Sequence, residues 1–84
     1  MHLGMARKIQ KSKIDLFIIS QITKMRNQEG FSQEDLAIHL NVSTGFIGQV
    51  ESPKYRAKYN LIHLNELAKL FKCSPRDFLP EKPL

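Results

Sequence analysis

Ser32 to Glu51 reads SQEDLAIHLNVSTGFIGQVE, two short amphipathic patterns with only Asn41, Val42 and Ser43 between them. Isolated helices shorter than about 12–15 residues are marginal in water, so neither half persists alone. Leu36, Ala37 and Leu40 form one apolar face, and Ile47 and Val50 form the other. A link this short does not let two helices lie antiparallel. It forces them to cross steeply, as in a helix-turn-helix. Asn41 stands where the chain must turn, and Asn tolerates positive φ better than any residue except Gly. This pair constrains the fold more than any other stretch of the chain.

Flanking signals supply the remaining elements. Ser12 with Asp15 three residues on forms an approximate capping box, followed by Ile14, Ile18, Ile22 and Met25 at helical spacing. Gly30 can end that helix in the left-handed conformation. Ser32 caps the second helix, with Glu34 and Asp35 in the first turn, where the helix dipole favours acids. Ser43 caps the third, and Pro53 ends it. Asn60 caps a fourth carrying Leu61, Leu64, Leu67, Ala68 and Phe71, and SPRDFL predicts a fifth stopped by Pro80. Five short helices without a strand signal predict an all-α bundle over 12–80, with the helix-turn-helix at 32–52. Residues 1–11 read as a basic, weakly periodic arm, and 81–84 as a short tail.

Composition narrows the partners. No apolar run exceeds the four residues Leu16 to Ile19, far short of the roughly 18 needed to span a membrane. The N-terminus lacks the apolar stretch of a secretory signal. One cysteine, Cys73, excludes an internal disulfide framework, fits a reducing cytoplasm and reads as a small core residue. His39 and His63 have no ligand spacing to each other or to Cys73, so no metal or other cofactor is expected. No Ser-His-acid or Cys-His grouping has a pocket to occupy in so small a bundle, so no enzyme is expected either. Thirteen Lys and Arg against eight Asp and Glu leave a net charge of +5. Arg7, Lys8, Lys11, Lys13, Lys24 and Arg26 crowd the first thirty residues, and Lys54, Arg56 and Lys58 the stretch after the third helix. An anionic partner is expected, nucleic acid before membrane.

The outward face of the third helix carries Thr44, Gly45, Gly48 and Gln49. A helix built only for solubility would show Lys and Glu there. A helix that enters the major groove, about 12 Å wide, needs low bulk and a few hydrogen-bonding groups, and Gln pairs with adenine in bidentate fashion. Two helical glycines cost about 1 kcal/mol each against Ala, which points to close approach of something to that face, ahead of the alternative that a tertiary scaffold tolerates them. Phe46 is expected to cover the first helix. Tyr55 and Tyr59 are expected to pack in the loop.

MRNQEGFSQEDLAIHLNVSTGFIGQVE resembles the phage-repressor and Cro-type helix-turn-helix family, the XRE family, over Lys13 to Leu79. The resemblance implies a lambda-repressor-like fold and sequence-specific binding of double-stranded DNA, with base contacts from Thr44, Gly45, Gly48 and Gln49. It implies phosphate contacts from Gln33, Ser43, Lys54, Arg56 and, more loosely, Lys58. It implies that Gln33 also buttresses the reading helix and that Arg26 pairs with Glu51. It further implies a repressor acting by occupancy of a pseudo-palindromic operator as a homodimer, for which Phe78, Leu79 and Leu84 offer an apolar patch. Three departures stand out: Asn41 replaces the usual turn glycine, Ser52-Pro53 replaces the usual residue-Gly step ahead of a longer basic loop, and the third helix carries two glycines. The alternative is a protein-interaction module on the same fold, such as an antitoxin with a toxin partner and weak or no DNA binding. The near-neutral reading helix favours it.

Overall fold

Each helix begins where a short polar side chain can accept the first free amide. The computed structural model describes residues 11–84. Within them run α1 (Lys13–Gln28), α2 (Gln33–Leu40), α3 (Thr44–Glu51) and α4 (Leu61–Phe71), closed by a 3-10 turn at Pro75–Phe78. Ser12, Ser32, Ser43, Asn60 and Ser74 are the N-caps. In α1 and α2 the acid three residues on, Asp15 or Asp35, bonds back to the cap amide, so two donors are met by one pair of residues. Asn41 has φ 58° and turns the chain between α2 and α3. Among the described residues there is no strand.

The fifth element is a 3-10 turn instead of an α-helix. Pro75 opens it, and Leu79 is extended at φ −102° and ψ 150°, as a residue before proline is held. Four residues between those limits leave room for one tight turn.

The core joins α2 and α3 to the other elements. Leu36, Ile47, Val50, Ile22, Leu67 and Phe78 are wholly buried, with Ala37, Ala68, Leu64, Ile19, Tyr59 and Phe71 nearly so. Leu40, Val42, Ile18, Met25, Phe46 and Cys73 pack against this cluster from its edge. Three expectations need correction. Ile14 is 43% and Leu61 is 81% exposed. Each has the right helical spacing but lies in the first turn, beyond the stretch its neighbours cover. Phe78 is not a surface contact: its ring meets Phe71 edge-on at 6.2 Å, and its exposure is zero. The apolar surface expected at the C-terminal end is therefore Leu79 and Leu84 alone, at 44% and 62% exposure. Phe46 also reaches α4, its ring 5.5 Å from that of His63.

His63 has a second role. Its Nδ1 accepts the Asn60 amide at 3.1 Å, while Asn60 Oδ1 accepts the His63 amide at 2.8 Å, a capping box with histidine in the usual Glu or Gln place. Burial against Phe46 and Tyr59 lowers its pKa below the ordinary 6.5. A depressed histidine pKa means that stability is full above the unfolded value and declines as pH falls through it. Replacing His63 by Gln keeps an acceptor and removes the titration. Between pH 7 and 5.5 the melting temperature of the wild-type chain is expected to fall, and that of His63→Gln to stay flat. Parallel curves would show that the ring does not control the cap.

Candidate nucleic-acid interface

α3 presents two unlike sides because its apolar residues fall three apart. Ile47 and Val50 are wholly buried, while Thr44, Gly45 and Gln49 are exposed and Gly48 is half-buried between them. Ser43 Oγ accepts the Phe46 amide at 3.0 Å, so its hydroxyl is engaged at the helix start. Both glycines keep helical φ. A Cβ on Gly45 would come no nearer than 3.9 Å to any atom, and one on Gly48 would meet Gln33 Oε1 at 3.6 Å, an ordinary contact. Packing within the fold therefore does not require glycine at either place.

The far end of α3 is held from three sides. Arg26 on α1 meets Glu51 in bidentate fashion, Nε to Oε2 at 2.8 Å and Nη2 to Oε1 at 2.9 Å. Its Nη1 donates to the Phe31 carbonyl at 2.9 Å, where the chain passes from α1 to α2. The two side chains are only 12% and 9% exposed. The hydrogen bonds to Glu51 raise the Arg26 pKa above its ordinary value, so the cation is permanent. Gln33, the first residue of α2, donates Nε2 to Glu51 Oε1 at 2.9 Å. One carboxylate thus ties α1, α2 and α3 together.

The basic loop is less uniform than its sequence. Lys54 and Arg56 are exposed, as is Tyr55, whereas Tyr59 is buried. Lys58 reaches back to Asp15 at the start of α1, 3.5 Å away, while its side chain stays 59% exposed. An exposed pair of this kind contributes about 0–1 kcal/mol, so it does not lock the lysine in place. Lys11 crosses to the end of α3, donating to the carbonyls of Gln49, Val50 and Ser52. Arg7 and Lys8 lie outside the described residues.

No protein-family model matches the chain, and no curated protein matches it by sequence. A solved structure does. The crystal structure of the restriction-modification controller protein C.AhdI from Aeromonas hydrophila is similar at 27% identity and a TM-score of 0.62, over 77% of this chain and 97% of that one. The chain therefore has a helix-turn-helix fold similar to that of this controller protein.

The expected residues fall into three groups within this helix-turn-helix domain. Thr44, Gly45, Gly48 and Gln49 share one face of α3. Arg26, Gln33 and Glu51 form a bracing knot, in which Gln33 turns its amide toward Glu51. Lys54 and Arg56 stand free on the loop, and Lys58 stands apart beside Asp15. The contact of Lys11 with α3 was not foreseen. Its signal was Ser52-Pro53 itself, since a helix that ends without glycine leaves carbonyls for some other donor. Among the described residues no cluster of three His, Cys, Asp or Glu could hold a metal ion, and no helix is long and apolar enough to cross a membrane.

Two stability measurements check this geometry. Glu51→Ala leaves Arg26 and Gln33 without their shared acceptor, and should cost about 3–5 kcal/mol, lowering the melting temperature by more than about 10 °C. A shift of a degree or two would mean that the knot carries little. Gly45→Ala should act in the opposite direction, raising stability by about 1 kcal/mol, because the new methyl meets nothing nearer than Ser43 Oγ at 3.9 Å.

Proposed function

We propose that this chain is a sequence-specific double-stranded DNA-binding transcription regulator, acting as a repressor in the cytoplasm, with α3 as the reading helix. The observation that carries this reading is the outward face of α3: Thr44, Gly45, Gly48 and Gln49 form a surface without charge or bulk, on a helix braced from behind by Arg26, Gln33 and Glu51. A groove reader needs that combination of low bulk, hydrogen-bonding groups and rigid support. The likeness to a restriction-modification controller protein supports a regulator.

In this mechanism Gln49 offers its carboxamide to a base edge, and Thr44, at the start of the same helix, reaches a neighbouring base or its phosphate. The glycines let the backbone come close. Lys54 and Arg56 engage phosphates, which set register and carry no sequence information themselves. Lys58 exchanges its weak pairing with Asp15 for a phosphate when the duplex is near, and Ser43 and Gln33 approach the backbone where α3 and α2 begin. A homodimer on a pseudo-palindromic operator places two such helices one turn of DNA apart. Exposed Leu61 and Ile62 at the start of α4, with Leu79, supply apolar surface for that contact. Repression follows from occupancy of the operator.

Selection of bound sites from random DNA, followed by two variants, tests the proposal. Gln49→Ala should cost about 1–3 kcal/mol on the selected site and relax preference at one base pair per half-site, with non-specific affinity unchanged. Arg56→Ala should weaken binding to all DNA alike and reduce the salt slope by about 0.9. A wild-type chain that selects no sequence would favour the protein-interaction module, with a toxin among the partners to seek.

A further inference from the structure

Of the four α-helices among the described residues, three end in the same way. Gly30, Asn41 and Lys72 take left-handed φ of 77°, 58° and 58°. The next amide then folds back onto the helix: Phe31 N–H to the Arg26 carbonyl at 3.0 Å, Val42 to Ala37 at 2.9 Å, and Cys73 to Ala68 at 2.9 Å. Such closures satisfy carbonyls of the last turn that have no partner within the helix.

α3 ends differently. Ser52 is extended at φ −96° and ψ 133°, because the ring of Pro53 disfavours the helical region for the residue before it. Proline also has no amide hydrogen to return. One backbone bond remains, from the Ser52 amide to the Gln49 carbonyl at 3.2 Å. α3 has no basic residue of its own in its last turn. Lys11 fills the gap from outside: its Nζ donates to the carbonyls of Gln49 at 3.2 Å, Val50 at 2.5 Å and Ser52 at 2.7 Å. An ammonium has three N–H groups, and all three are used here. Its charge lies at the negative end of the α3 dipole. Burial lowers the Lys11 pKa, while the charge of Asp15 works against that shift.

We infer that Lys11 is a positioning residue for base readout: it closes the end of α3 that lacks a backbone cap, and thereby fixes how Gln49 presents its side chain. The inference rests on the DNA-binding reading above. Gln49 is the residue most affected, because its carbonyl receives both the Ser52 amide and the ammonium. A role for Lys11 as one more phosphate contact fits the geometry poorly. Its donors point into the protein, and using them on DNA would leave the Val50 and Ser52 carbonyls uncovered.

The test uses the full chain with Lys11→Met, which keeps length and removes charge, and Lys11→Arg, which keeps charge in a planar fork. Binding to the selected site and to mixed-sequence DNA is measured across a salt series, with amide exchange at Val50, Glu51 and Ser52. For Lys11→Met, affinity for the selected site should fall about tenfold. Affinity for mixed DNA and its salt slope should hold, and the three amides should exchange faster. Lys11→Arg should recover part of the site preference. Equal loss on both DNAs with a slope reduced by about 0.9 would instead make Lys11 a phosphate contact and overturn the inference. Faster exchange with undiminished site preference would also overturn it, leaving a cap with no part in reading. A wild-type chain without any preferred site would remove the DNA-binding reading and this one together, and the wild-type measurement alone reveals that case.

Discussion

Glu51 accepts two hydrogen bonds from Arg26 and one from Gln33, on a carboxylate that is 9% exposed. The other parts of the structure depend on this arrangement for a simple reason. α2 and α3 have eight residues each, well below the length at which a helix persists alone. Their apolar faces hold them together, but apolar contact is non-directional and leaves small rotations inexpensive. The bidentate guanidinium supplies direction, since its planar fork matches a carboxylate in one geometry. Arg26 is also bonded to the Phe31 carbonyl, so the entry to α2 and the exit of α3 are referenced to the same side chain.

α3 is a poor helix by local standards, and the magnitudes show how it survives. Gly45 and Gly48 together cost about 2 kcal/mol relative to alanine. Burying Ile47 and Val50 contributes about 1.5–3 kcal/mol each, so the inner face outweighs the outer one. This division of labour makes the exposed face free to vary. Stability resides in residues that touch the core, and the outward residues answer only to what binds them.

Charge follows the same separation. The basic loop offers Lys54 and Arg56 to solvent, while the outward face of α3 carries no charge. In the proposed DNA-binding role, long-range attraction and specific contact fall to different residues. Lys11 belongs to neither class. Its positive charge faces inward, on carbonyl oxygens at the end of α3, so a count of cations overstates what is available to an anionic partner.

Much of this was legible in the residues. Ser12, Ser32, Ser43 and Asn60 cap helices where expected, Asn41 takes the left-handed turn, and Leu36, Ala37, Ile47 and Val50 face inward. The outward placement of Thr44, Gly45 and Gln49 follows from the same period. These features act within four residues or so of backbone, where bond geometry and side-chain reach leave few choices. The ion pair of Arg26 and Glu51, 25 residues apart, was accessible only through resemblance. Tertiary structure decided the rest. Ile14 and Leu61 have the correct helical phase yet lie exposed, because phase does not say where a core ends. Phe78 is a core plug and not a surface contact, because the packing of α4 and the last turn leaves its ring inside. Lys11 meets Val50 across 39 residues, a contact no local pattern encodes. Local sequence determined which segments coil and which face each one would bury; the burial itself, and the donors that complete unfinished helix ends, depended on which distant side chains the folded chain brought within 3 Å or so of them.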